Sequence, residues 1–115
     1  MTEEQILKLA RTFTHDKYRE YCDCFTEFEE TTNKLAYDID SDRVFDNLDF
    51  LIKEGFLPES FADVDYWDLD EKSKEYEQIN KAIVKSYVKL ALDSDKTTAT
   101  AVAYILHLYF KNFLD

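Results

Sequence analysis

The sequence contains very few of the residues that make turns: among 115 residues there are one glycine and one proline. Sheets of many strands need frequent turns, and turns mostly use glycine, proline and asparagine. The chain also lacks any apolar run near the roughly 18 residues of a membrane span, and its start, MTEEQ, is acidic where a secretory leader is basic. A many-stranded protein, a membrane-spanning protein and a secreted precursor are therefore all disfavoured, and we expect an all-α fold.

Apolar residues, in contrast, are plentiful, at 45% of the chain with 16% aromatic. A chain of this length fits one domain with its own core. Apolar positions recur every three or four residues in five segments, which predicts helices at residues 3–13, 15–37, 71–92 and 96–113 and another helix between the Ser41–Asp42 pair and Gly55. We therefore expect a single helical domain over residues 1–115, a compact bundle of four to five helices.

Several helix boundaries have local signals. Thr2 followed by Gln5 is typical of a capping box, and Thr14 is placed to cap a second helix. Whether the first two helices are continuous through Thr14 is open. Ser41 or Asp42 is expected to cap the third helix, and Gly55 lies where a helix end needs a left-handed residue.

The last helix, capped by Ser94 or Asp95, contains the run AVAYILHLYF, which is apolar all round. Such a helix is expected at the centre of a bundle. The threonines at its start could also suit a strand, but partner strands are hard to find elsewhere, so a helix is preferred.

Charge is distributed unevenly along the chain. The whole chain has 25 acidic and 14 basic residues, a net charge of −11. Residues 20–77 have 19 acidic and 5 basic residues, a net charge of −14, whereas the two flanks together have a net charge of +3. Direct binding of nucleic acid or of an anionic membrane is therefore not expected, and a basic protein is the expected partner.

The cysteines and histidines give no metal motif. Cys22 and Cys24 point about 200° apart on a helix, so they are not expected to bridge, and a reduced, cytoplasmic protein is expected. His15 and His107 have no paired ligands in sequence. We interpret His107, on an apolar helix, as a core histidine that is hydrogen-bonded to a neighbour.

One acidic stretch resembles the loop of an EF-hand. Asp38, Asp40 and Asp42 have the spacing of its first ligands, but Arg43 occupies the position of its glycine and Asp49 that of its bidentate glutamate. An acidic turn that caps a helix is the simpler interpretation, and whether the stretch binds an ion is open. No phosphate-binding glycine loop or nucleophile motif is present, so neither a cofactor nor an enzymatic activity is expected.

The candidate binding site lies mainly in the one long irregular stretch, at residues 56–70. Trp and Tyr are common anchors of protein interfaces, and a rim of carboxylates steers a basic partner. The expected partner-binding residues combine this stretch with the preceding acidic turn: Asp63, Asp65, Tyr66, Trp67, Asp68, Asp70, Asp42, Asp46 and Asp49. The competing interpretation is that Trp67 and Leu69 fold back over the bundle as a lid.

Two functions agree with these observations. The first is an acidic inhibitor that neutralises a basic partner, such as a toxin nuclease or another nucleic-acid-binding enzyme, as immunity proteins, antitoxins and phage inhibitors do. The second is a helical structural or regulatory subunit or adaptor, whose charge serves solubility. An acidic face beside exposed Tyr66 and Trp67 would favour the first.

Overall fold

The computed structural model describes residues 1–114 and contains α-helices and short 3₁₀ turns, with no strand in that range. The all-α prediction is confirmed. Within the described range the helices number seven rather than four to five: α1 (Glu3–Thr12), α2 (His15–Cys24), α3 (Thr26–Asp40), α4 (Arg43–Asp46), α5 (Leu48–Lys53), α6 (Lys74–Leu92) and α7 (Lys96–Tyr109). No helix among residues 1–114 is long and apolar enough to cross a bilayer.

The first two helices are separate, which settles the point that the sequence left open. The capping box of α1 is confirmed, because the Thr2 hydroxyl accepts from the Gln5 amide and the Gln5 side chain accepts from the Thr2 amide. Phe13 then adopts an extended conformation, with φ −63° and ψ 140°. Thr14 caps α2 through the Lys17 amide, as predicted.

The single long helix predicted at residues 15–37 is wrong, because the chain breaks at Phe25. Phe25 is extended, with φ −138° and ψ 99°, and its side chain is half-exposed instead of buried. Tyr21 and Phe28, on either side of the break, still face the same core, with ring centroids 5.1 Å apart. The apolar spacing therefore continues across the break and gives no local sign of it.

The predicted third helix is also divided, into the short helices α4 and α5, by Asn47 with φ −103° and ψ 46°. Asp42 precedes α4 in a left-handed conformation, φ +63°, and makes no side-chain cap, so the capping role expected here is wrong. The left-handed residue expected at Gly55 is confirmed, with φ +83°. Its amide donates to the Ile52 carbonyl and closes α5.

The two long C-terminal helices form close to where they were predicted. α6 begins at Lys74, three residues later than expected, and Ser73 caps it through the Tyr76 amide. Asp95 caps α7 through the Thr98 amide. α7 ends at Tyr109 rather than at Phe113, and a 3₁₀ turn follows.

α7 packs against α1, α3 and α6. Its residues Ala101, Val102, Ala103, Ile105 and Leu106 are fully buried, whereas Leu108 and Tyr109, nearer the C-terminal end, are exposed.

The structure bears on two sequence predictions about single side chains. Cys22 and Cys24 are both free thiols. The half-buried His107 has its Nδ1 2.9 Å from the Ala10 carbonyl oxygen, so Nδ1 donates its proton there and joins α7 to α1.

Candidate functional site

The acidic groove lies between α4–α5 and the segment that precedes α6. It is open, with a volume of about 320 Å³. Its lining combines carboxylates with aromatic rings from two separate parts of the chain, chiefly Asp46, Asp49, Asp63, Asp65, Phe45 and Trp67. Of the nine predicted site residues, the structure brings six to this groove, these four aspartates with Tyr66 and Trp67.

A layer of aromatic rings forms the floor of the groove. Tyr66 stacks on Phe45 with ring centroids 4.5 Å apart, and on Tyr76 with centroids 5.5 Å apart. The buried Asn80 amide donates to the Tyr76 carbonyl at 2.9 Å and lies 3.5 Å from the Tyr66 hydroxyl. This layer anchors the irregular segment to α6.

Tyr66 is therefore a supporting residue and does not present its ring to solvent. It is buried, which corrects the expectation of an exposed Tyr66 beside Trp67. Burial, with the neighbouring Tyr76 hydroxyl, raises the pKa of Tyr66 above its ordinary value, so the phenol stays neutral. Its OH is occupied by its neighbours, and its ring fixes the position of the residue that follows it.

Trp67 stands at the rim of the groove, 53% exposed. Its indole Nε1 donates to Asp46 Oδ1 at 2.8 Å, and its backbone amide donates to Asp65 Oδ1 at 3.0 Å. The ring meets Tyr66 edge-on, with centroids 5.1 Å apart at 88°. The indole is thus held in one orientation with about half its surface free. Leu69 is half-buried against the core, whereas Trp67 folds back onto α4 and keeps about half of its surface exposed.

The carboxylates of the groove form no ion pair within residues 1–114. Within residues 1–114 there are three ion pairs, Asp38–Arg43, Glu77–Lys81 and Glu54–Lys89, and none includes a groove aspartate. All four groove aspartates are exposed. Their like charges therefore add to a local negative potential, which Arg43 and Lys53 on the same two helices offset only in part.

The other three predicted site residues lie outside the groove. Asp42 is the left-handed residue before α4, and Asp70 accepts from the Lys72 amide at 2.9 Å in the turn before α6. Asp68 is exposed and does not line the groove. Asp42 and Asp70 thus have local backbone roles.

The EF-hand resemblance does not extend to the structure. Asp38 and Asp40 belong to α3, and Asp49 belongs to α5, so most of the twelve residues are helical where the calcium loop is not. Among residues 1–114 no group of three or more His, Cys, Asp or Glu side chains is arranged to hold a metal ion.

Sequence reasoning missed Phe45 as a residue of the groove. Its apolar spacing predicts a core position, and the structure shows it half-buried, between the core and the groove. Nothing local marks the contact between Asp46 and Trp67, which are 21 residues apart.

Comparison of the chain with protein-family models, with curated proteins and with solved structures gives no match. The interpretation of the groove therefore depends on its geometry and charge.

Proposed function

We propose that this protein binds a basic protein through the acidic groove and neutralises it. The observation that supports the proposal is the groove itself: four exposed aspartates from two chain segments surround a fixed, half-exposed tryptophan, and none of the four forms an ion pair within residues 1–114. Carboxylates accelerate encounter with a cationic surface, and a tryptophan at the contact adds apolar area that slows dissociation.

The partner that fits this groove best is an enzyme that acts on nucleic acid. The active cleft of such an enzyme is basic because it holds phosphates. An acidic face seated in that cleft would exclude the nucleic acid, which is how immunity proteins and antitoxins block toxin nucleases. The proposal assigns this chain no catalysis and no cofactor, and it places the protein in the cytoplasm, where free thiols persist.

The test removes charge from the groove without changing its shape. Asp46→Asn, Asp49→Asn, Asp63→Asn and Asp65→Asn are combined in one groove variant. Asparagine keeps an acceptor oxygen for the Trp67 indole and for the Trp67 amide, so the ring stays in place. A control variant neutralises four exposed acids of α2 and α3 instead: Glu20→Gln, Asp23→Asn, Glu27→Gln and Glu30→Gln.

Binding is measured first with a short peptide of alternating lysine and serine. Trp67 is the only tryptophan in the chain, so its fluorescence reports on the groove directly. We expect the parent and the control variant to bind, and the groove variant to bind about tenfold more weakly, since exposed ion pairs contribute about 0.2–1 kcal/mol each. Association should slow between ionic strengths of about 0.01 and 0.15 M, where the Debye length shortens from about 30 to 8 Å.

The second step identifies the natural partner by affinity capture from the native cell at low salt, with the groove variant as the negative control. A captured protein whose action on nucleic acid is inhibited by the parent, and not by the groove variant, supports the proposal. Equal weakening by both charge-removal variants, or binding that is indifferent to salt, contradicts it and leaves the subunit or adaptor as the function.

A further inference from the structure

Trp67 has one free face of its indole ring at the rim of the acidic groove. Tyr66 stacks on both Phe45 and Tyr76, so the faces of the Tyr66 ring are taken by these two neighbours. Tyr66 therefore presents its edge to Trp67, with centroids 5.1 Å apart at 88°, and covers one face of the indole. Because Trp67 is 53% exposed, the surface that it leaves open to solvent is mainly the opposite face.

The free face of the indole favours a cation. The face of an aromatic ring is negative and its edge is positive, and tryptophan binds cations best among the aromatic residues. The most positive part of the edge, the Nε1 proton, is already donated to Asp46 Oδ1 at 2.8 Å. A ligand therefore contacts this ring through its negative face.

Carboxylate oxygens lie beside the ring. Trp67 occupies one oxygen of Asp46 through its indole and one oxygen of Asp65 through its amide. The second oxygen of each carboxylate is left for a ligand, as are Asp49 and Asp63, which line the same groove. None of the four forms an ion pair within residues 1–114. A group stacked about 3.5–4 Å above the indole can thus reach a carboxylate without leaving the ring.

A ring face beside carboxylates favours arginine over lysine. The guanidinium group is planar, so it can stack on the indole while the N–H groups at its edge donate to carboxylates. The ammonium group of lysine is compact and strongly hydrated, so it cannot stack and loses more hydration when it touches the ring. A neutral apolar side chain would cover the carboxylates without pairing them, which is unfavourable.

We infer that the acidic groove selects an arginine side chain of the basic partner, stacked on the free face of Trp67 and hydrogen-bonded to the groove carboxylates. This inference rests on the proposed function and specifies the residue that the partner must present. The aspartates supply an attraction that arginine and lysine share, and Trp67 distinguishes between the two.

The test compares three peptides of equal length by calorimetry on the full chain. The first alternates arginine and serine, and the second alternates lysine and serine, with the same number of charges. The third has citrulline, whose head group is planar but uncharged, in place of every arginine.

Three variants separate the aromatic face from the rest of the side chain. Trp67→Leu keeps an apolar side chain without an aromatic face, and Trp67→Phe restores a smaller aromatic face. Phe25→Leu is the matched control, because Phe25 is an aromatic residue that is 49% exposed and does not line the groove.

We expect the parent to bind the arginine peptide about tenfold more tightly than the lysine peptide, because the guanidinium group both stacks and donates. Trp67→Leu should bind the two peptides alike, Trp67→Phe should recover part of the preference, and Phe25→Leu should keep all of it. The citrulline peptide should not bind measurably. At equal saturation the arginine peptide should also protect Trp67, the only tryptophan, from quenching by acrylamide more than the lysine peptide does.

Equal affinity of the parent for the arginine and lysine peptides would overturn the inference. A preference that persists in Trp67→Leu, or that disappears in Phe25→Leu, would also overturn it, as would binding of the citrulline peptide. The proposed function fails in a different way, with neither cationic peptide binding to the parent.

Discussion

Two parts of the molecule are organised differently. One consists of the helices α1, α3, α6 and α7. The other, which we call the acidic part, consists of α4, α5 and residues 54–73. The first group has helices of 10 to 19 residues, and three of the four begin with a side-chain cap. The helices of the acidic part have 4 and 6 residues and no side-chain cap. Isolated helices this short are not stable in water, so tertiary contacts hold them.

The difference indicates where binding can be accommodated at low cost to the fold. The four long helices meet through small and branched side chains with no exposed surface, such as Ala101 and Ile105. The acidic part is held by the stacked rings of Phe45, Tyr66 and Tyr76 and by buried apolar side chains such as Leu51 and Phe61. Its acids are exposed and can be exchanged without opening the core.

Among the substitutions that test this comparison, Ile105→Asp is expected to have the largest effect on stability. Ile105 is 0% exposed on α7, and a charge there has no partner and no water. We expect the free energy of unfolding to fall by about 5 kcal/mol, which is comparable to the whole stability of a small domain. Circular dichroism should then show loss of helix at room temperature.

The matched control is Leu108→Asp, three residues later on the same helix and 49% exposed. It should melt within a few degrees of the parent protein. Similar melting temperatures for the two variants would mean that Ile105 does not lie in a core that excludes water.

The long helices were largely predictable because their signals are local. Thr2 with Gln5, and Asp95 before α7, are capping residues that act within three positions of their partners. The breaks at Phe25 and Asn47 were not predictable in this way. Each break lies inside an apolar pattern that continues on both sides, and its conformation depends on packing with helices distant in sequence.

The candidate site was predictable in composition but not in assembly. Acid density and the single tryptophan identify Asp63, Asp65 and Trp67 as candidates, since both features are read directly from the sequence. The groove exists only because residues 56–70 fold back onto α4, where the Trp67 indole donates a hydrogen bond to Asp46. The same fold-back buries Tyr66. The spacing of aromatic residues in the sequence does not distinguish a buried ring from an exposed one.

A smaller effect, on binding rather than on the fold, is expected from Trp67→Ala. If Trp67 is an anchor, its removal should weaken binding of the lysine–serine peptide or of the captured partner by about 2 kcal/mol, mostly through faster dissociation. Stability should change little, because about half of the ring is already in water.

Phe25→Ala provides the control, since Phe25 is an exposed aromatic residue that does not line the acidic groove. It should leave both rate constants unchanged. Calorimetry and surface-immobilised kinetics serve here, because the Trp67 variant has no tryptophan to report. Unchanged dissociation from Trp67→Ala would assign binding to charge alone.

The smallest effect concerns the backbone of the acidic part and is expected from Gly55→Ala. Gly55 follows α5 with φ +83°, and a Cβ added there would meet no atom within 4 Å. The cost is therefore conformational rather than steric, and we expect the free energy of unfolding in urea to fall by about 1 kcal/mol. Gly55→Asn should cost less, because asparagine tolerates the left-handed region better than alanine. Peptide binding should be unchanged in both variants, since Gly55 does not line the acidic groove. An alanine variant as stable as the parent would show that the end of α5 can rearrange, and that the acidic part is held by its aromatic stack without help from this turn.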